Sequence, residues 1–461
     1  MSSSSLAPIA PPPLHTIRSH NSAVSTLFVS GDNERIYSGD VSGLVVITST
    51  RSIRPLASWK AHTDGLLGVE EWGEQQVITH GRDNKLHVWR RPSHGPSTVG
   101  GGSASSPGTL ELELSYSLDV NALNFCRFSL LPLHDGEALV AVPNLVESSL
   151  ADIWVLPSME RIHAAIGKGS LDVPTIPGSD GRGVKNPTGI IMSMHLLPAP
   201  GAIDDRALSL ISSYENGSVK LWKYRNLAKE RSIEGIGWEC VWSSKLHVES
   251  VMATALSLDR SVALSVSADH LVGRYDLGVN PDSNDSAGTV HRTKHPGNGA
   301  VAVHDEGRVC AIGGWDGRVR LFSTKSFKSL GTLIHHKAGI QALAFAHTRL
   351  PVAPAPPGQH CHRHHHRRHR HHHHHQQEQE QQRHASATDG GEAAEMDSCT
   401  EEGNADIGEG RGGDDDDDEM TMGEKARRAR WLVSGGKDGR VVIWELMDFS
   451  GAKSGGPSTQ R

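Results

Sequence analysis

Apolar and polar residues alternate in short runs along this chain, and each run ends in a cluster of Gly, Asn or Asp. Five runs share one frame: THGRDNKLHVW (79–89), SSYENGSVKLW (212–222), SVSADHLVGRY (265–275), IGGWDGRVRLF (312–322) and SGGKDGRVVIW (434–444). Each places an Asp or Asn six residues before an aromatic, with a turn-prone residue next and a β-rich run after it. SGDVSGLVVIT (38–48) fits more loosely, with Ser42 and Gly43 at the turn and Thr48 in the aromatic slot. Asp-Gly, Asn-Gly and Asp-Asn supply the positive φ that a two-residue turn requires, and alternating β-branched residues build the flanking strands. Six copies in one frame predict a repeated β-hairpin and an all-β fold.

A histidine marks the approach to several hairpins. His62, His247, His295 and His336 each follow an extended segment and precede another apolar strand. The separation is 21 residues from His62 to Asp83, 22 from His247 to Asp269 and 21 from His295 to Asp316. An imidazole at one end of a strand pair can bond the carboxylate of the next tight turn, giving that charge a partner and pinning the loop. This pattern resembles the WD40-repeat β-propeller family, with four strands per blade and a His, Ser/Thr, Asp, Trp tetrad. Carried over by position, the resemblance implies a full tetrad of His62, Thr79, Asp83 and Trp89 in the second blade, and of His336, Ser434, Asp438 and Trp444 in the last. The fifth blade has His247, Ser265 and Asp269 with Tyr275 for Trp, and the sixth keeps His295 and Asp316 with Ile312 and Phe322 in the other slots. A degenerate blade is expected over 121–154, ending in Trp154, which brings the total to seven. PLHTIRSH (13–20) is expected to close the ring as the outer strand of the last blade, leaving no free sheet edge.

The domain plan is therefore a single propeller over 13–450, with tails at 1–12 and 451–461. His336 and Asp438 are 102 residues apart, so a long insertion, 351–427, falls between the first two strands of the last blade. It runs from Pro-rich through HCHRHHHRRHRHHHHH (360–375) and Gln/Glu to acidic (Asp414 to Asp418), then basic at KARRAR (425–430), with no helical or strand period. Such composition predicts disorder. Clustered imidazoles and Cys361 have metal-ligand chemistry, but a structural site needs ligands at set spacings held by a fold. The basic stretches also suit polyanion binding or nuclear import. A solvated repeat expansion in a tolerant loop is the reading adopted. SHGPSTVGGGSASSPG (93–108) reads as a flexible linker between blades two and three, and residues 167–189 as a Gly/Pro-rich insertion without a phosphate-binding motif.

Composition adds limits. Apolar residues are 36 % and aromatics 5 %, lean for a compact enzyme and consistent with long polar insertions. The net charge of −7 gives no general case for nucleic-acid binding. Five scattered cysteines without a CxxC fit a reducing compartment rather than a disulfide framework or a cysteine zinc site. No apolar run approaches the roughly 18 residues that span a bilayer, and MSSSSLAPIAPPP lacks the features of a signal peptide. A soluble, intracellular protein is expected. There is no nucleophile elbow, no HExxH and no kinase motif set, so neither enzymatic activity nor a cofactor, small-molecule substrate or metal is expected. What remains is surface: Arg82, Ala268, Trp315 and Lys437 precede the turn aspartates and are expected on one face, with Trp315 the strongest interface candidate.

A closer resemblance covers the propeller from end to end. PLHTIRSHNSAVSTLFV, IYSGDVSGLVVI, RPLASWKAH, THGRDNKLHVW, TLIHHKAGIQALAFA and WLVSGGKDGRVVIWEL together resemble the ASTRA-associated WD-repeat proteins of fungi, whose animal relatives are described as G-protein β-subunit-like. The resemblance implies a nuclear, non-catalytic scaffold in the ASTRA complex, implicated in chromatin remodelling. It also implies partnership with the Tel/Tti co-chaperone assembly that matures phosphatidylinositol-3-kinase-related kinases. The alternative is a substrate receptor for a cullin ubiquitin ligase, which calls for an acid after the closing Trp and a basic residue two further on. WRRP (89–92), WKYR (222–225) and WELM (444–447) each lack one or both. A heterotrimeric G-protein β subunit needs an N-terminal coiled coil, which Ser/Pro-rich residues 1–13 do not form.

Overall fold

A computed structural model describes residues 11–91, 111–121, 123–168, 188–199, 207–278, 287–350 and 420–447. The hairpins become the second and third strands of seven antiparallel four-stranded sheets, the blades of a propeller. Blades one to six span 24–60, 66–119, 129–166, 191–245, 251–292 and 298–334. Blade seven takes its first three strands from Ile340–Phe345, Trp431–Gly436 and Val441–Glu445. Its outer strand is His15–Ile17, in register with Ile443 to Val441, so the two ends of the described fold share one sheet.

The third strands are largely buried because neighbouring blades cover both faces of each sheet. Trp72, Ile78, Leu86 and Val88 of blade two pack on Phe128, Val140 and Leu156 of blade three. Leu432, Val442 and Trp444 of blade seven pack on Ala311, Val319 and Leu321 of blade six. Burying β-branched and aromatic side chains in this way supplies the main stabilisation between blades. Antiparallel alternation sorts the connections. The loop entering each blade and the turn between its second and third strands lie at one end, here the top. The other two connections lie at the bottom.

Two expectations about insertions need correction. Residues 93–108 do not link blades two and three. They separate the third strand of blade two, Lys85–Arg90, from its outer strand Glu113–Asp119, which pairs with it from Lys85↔Asp119 to Arg90↔Glu113. Residues 93–108 themselves lie outside the described residues, as do 169–187 and 351–419.

The end of the long insertion is not without helical structure. Thr421 caps a short helix, Met422–Arg427, in a reciprocal capping box with Glu424. Met420 is buried and meets Thr50 Oγ1. Arg428 donates to the Thr50 carbonyl at 3.2 and 3.3 Å, and Lys425 pairs with Glu34 at 2.7 Å. Of the KARRAR stretch, then, Lys425 and Arg428 serve to dock it on blade one, and Arg430 pairs with Glu445. Asn33 draws the two ends of the insertion together. Its amide donates to the carbonyls of His347 (2.7 Å) and Lys425 (3.3 Å), and its oxygen accepts the His347 N–H (2.8 Å).

Candidate interaction surface

The top face is built on hydrogen-bond networks that hold loop to hairpin. In blade two the Trp89 indole N–H donates to Thr79 Oγ1 at 2.8 Å. An indole nitrogen can only donate, so Thr79 passes its own proton to His62 Nε2, also at 2.8 Å. His62 Nδ1 then donates to Asp83 Oδ1 at 2.8 Å, and the Thr63 N–H donates to Asp83 Oδ2 at 2.9 Å. This wiring uses a neutral imidazole, and burial holds His62 below its ordinary pKa against the pull of Asp83. Burial pushes Asp83 up, but the Thr63 N–H and His62 outweigh it and keep the carboxyl below its usual range.

Blade seven repeats the circuit with Trp444, Ser434, His336 and Asp438 at 3.0, 2.9 and 2.9 Å. Blade five substitutes Tyr275, whose hydroxyl meets Ser265 at 3.1 Å. Ser265 lies 2.7 Å from His247, and His247 Nδ1 is 3.2 Å from Asp269. The tyrosine reaches in because residue 273 is glycine: a Cβ there would stand 2.6 Å from Ser265 Oγ and 2.7 Å from the Tyr275 hydroxyl.

Blade one carries a network that sequence reasoning missed. His20 Nδ1 bonds Asp40 at 2.9 Å and its Nε2 bonds Ser38 at 2.8 Å. The aspartate lies two residues earlier than in the other blades, and its second oxygen takes the Ser42 N–H and hydroxyl. Distance to the first strand was the usable signal. His20, His62, His247 and His336 each stand four residues before Val24, Leu66, Val251 and Ile340.

The same count corrects blade six. His295 stands three residues before Asn298, and Lys294 occupies the histidine slot. His295 is exposed, and Asp316 is held instead by a guanidinium fork from Arg320, Nη2 to Oδ2 at 2.5 Å and Nη1 to Oδ1 at 3.1 Å. Arg320 is buried, two residues before Phe322 in its own hairpin. In blade three, where no tetrad was expected, buried Asp152 accepts from Asn144 at 2.8 Å and from the Ala165 N–H at 2.8 Å.

Four of these loops also meet the preceding blade. The turn glycines Gly43, Gly217, Gly317 and Gly439 have φ between +72° and +91°, and their built Cβ atoms would fall 2.1–2.9 Å from the carbonyls of His62, His247, His336 and His20. Only glycine satisfies both the backbone angle and the approach.

The proposed surface residues separate into two places. Trp315 is 46 % exposed on the turn of blade six, its ring lying over Gly297 of the entering loop and Gly299 of the first strand of the same blade. Lys437 is exposed on the adjoining turn of blade seven, and Ala268 is half-buried on blade five. Arg82 lies on blade two, its guanidinium 4.8 Å above the ring of exposed Phe125. Exposed Leu123, Phe125, Val146 and Val248, on top loops of blades three and five, were not anticipated. Single apolar residues in loops carry no periodic signal.

Among the described residues, His62, Asp83 and His87 place ligand atoms within 4.8 Å of one another. Both His62 nitrogens already serve the tetrad, and His87 Nδ1 meets Ser117 at 2.7 Å, so the cluster is accounted for as structure. The central channel holds a cavity of about 190 Å³ lined by Ser25, Arg127, His195 and Thr254 among others. No helix among the described residues is long and apolar enough to cross a membrane.

Seven closed blades, with full His–Ser/Thr–Asp–Trp circuits in blades two and seven and partial ones in blades one and five, define a WD40 β-propeller, and the WD domain, G-beta repeat family matches residues 427–445. Similarity to curated proteins extends much further. ASTRA-associated protein 1 of Verticillium alfalfae is 31 % identical over 358 residues, covering 75 % of this chain and 81 % of the relative. That of Penicillium rubens is 27 % identical across 94 % of this chain and 97 % of its own, and that of Schizosaccharomyces pombe 26 % identical across 73 % and 94 %. The chain belongs to the ASTRA-associated protein 1 family.

Proposed function

We propose that this chain is a non-catalytic scaffold subunit of the ASTRA complex, working in the nucleus in chromatin remodelling and, with Tel/Tti co-chaperone proteins, in the maturation of phosphatidylinositol-3-kinase-related kinases. One observation carries the reading: relatives named for ASTRA association align along nearly the full chain. The architecture supports it. The buried His, Ser/Thr and Asp of the networks in blades one, two, five and seven are spent on holding loops, and the exposed chemistry is that of an interface, aromatic and charged.

The test is affinity purification of the tagged chain from native nuclear extract, with proteins identified by mass spectrometry. The intact chain and a form lacking residues 352–419 should both recover ASTRA-type and Tel/Tti proteins. A combined Arg82→Glu, Trp315→Ala, Lys437→Glu variant should lose them while melting normally. Recovery of cullin adaptors in their place would sink the reading.

A further inference from the structure

Among the described residues the top face divides by charge. From the loop entering blade six round to the loop entering blade one it carries Lys294, Arg318, Lys337, Lys437, Arg440 and Arg18. The carboxylates on those loops, Asp316 and Asp438, are already engaged by Arg320 and His336. Among the described residues only Arg318 of the six comes within ion-pair range of a carboxylate, Asp316 at 3.9 Å. The cations are close enough to act on a neighbour. His335, 3.1 Å from Thr16 Oγ1 in blade seven, is held below its ordinary pKa by burial first, then by His336, Arg440 and Arg18, against Asp438.

Trp315 stands within this arc. The loops of blades three to five differ, with exposed Glu147, Glu215 and Glu249 beside Leu123, Phe125, Val146 and Val248. In a chain of net charge −7, such local segregation sets a potential that selects an anionic partner and steers its approach.

We propose that the arc of blades six, seven and one binds an acidic peptide segment of a partner protein, with a large apolar side chain of that segment lying on Trp315. A peptide fits the arc better than a nucleic acid does. A duplex broad enough to meet all six cations would also carry phosphates towards Glu147, Glu215 and Glu249. Single strands are held by successive aromatic platforms, and the arc offers Trp315 alone. The proposal rests on the scaffold reading above and adds the chemistry of the partner.

The experiment is fluorescence anisotropy on the full chain with three labelled probes: a peptide of six glutamates followed by Leu-Phe, its glutamine counterpart, and a short DNA duplex. The glutamate peptide should bind, weaken as salt rises, and exceed its glutamine counterpart by about tenfold. Reversal of Lys337, Lys437 and Arg440 to Glu should weaken it by about tenfold or more, and Trp315→Ala by about threefold to tenfold. Lys325→Glu with Lys328→Glu, in the bottom turn of blade six, should leave it unchanged. Thermal melting confirms that each variant folds. Equal binding of the glutamine peptide, no loss in the triple variant, or tighter DNA binding lost in that same variant each overturns the proposal. Binding seen only after Asp414–Asp418 are changed to Asn would make the chain's own acidic run the occupant, and overturns it too. Peptide binding without recovery of ASTRA proteins would fault complex membership alone; recovery without peptide binding would fault the arc alone.

Discussion

Blades two and six share a strand frame and the same spacing from turn aspartate to closing aromatic, yet they satisfy that aspartate from opposite directions. In blade two His62 comes from the entering loop, so the network ties loop, hairpin and, through its carbonyl over Gly43, the preceding blade. In blade six the Arg320 fork comes from within the hairpin. The entering loop is then held by smaller groups, Thr293 bonding the carbonyls of His270 and His295 and Asn298 that of Asp269. Where the structural network withdraws from the loop, Lys294, His295 and Trp315 become surface.

The largest expected effect breaks the network on one side only. Asp83→Ala leaves the buried His62 and the Thr63 N–H without their acceptor and should lower unfolding stability by about 2–4 kcal/mol. Denaturant titration would show it, and an unchanged midpoint would remove blade two's network as a stabilising element. Next comes the intermediate solution in blade five. Gly273→Ala drives a methyl into Ser265 and Tyr275 and should cost about 1–3 kcal/mol. Gly331→Ala, where a Cβ meets open space, should be neutral or stabilising by about 0.5 kcal/mol.

A third effect is acid sensitivity. Burial holds His62 low, His80 down to about 3 and His87 down to about 4. For each, the unfolded chain takes up its proton near pH 6.5 while the folded chain resists, so stability is full above that pH and falls as pH drops towards the folded value. His80 is fully buried with neither ring nitrogen hydrogen-bonded. His80→Leu should therefore remove about 1.4 kcal/mol per pH unit from the acid slope between pH 6 and 4, and an unaltered slope in melts across that range would contradict it. Smallest of all, His295→Ala in blade six should change stability by less than about 0.5 kcal/mol. A loss comparable to that of Asp83→Ala would erase the contrast between the two blades.

Much of the ring was legible because its signals are local. Turn chemistry, alternation and the six-residue step to an aromatic all act within one hairpin, and they placed the second and third strands of blades one, two and four to seven. The candidate surface was less legible. Histidine-to-aspartate separation varies by one residue between intact blades, so it did not distinguish His295 from Lys294. His20 escaped because its partner Asp40 sits out of frame. Residues 93–108 were assigned between blades because the outer strand Glu113–Asp119, its register set by pairing with a strand on the far side of the insertion, has no hairpin of its own.

The sequence by itself determined that this chain is a closed repeat of β-hairpins carrying a long insertion in its last blade, because hairpin turns are encoded by neighbouring residues. Tertiary structure decided which side chain answers each turn aspartate, where the insertion's ends are tied down, and how charge divides across the top face. Those outcomes depend on groups as far apart in the chain as Asn33 and Lys425, or Arg18 and Arg440. Only the closing of the ring brings them within reach, and local propensity is blind to it.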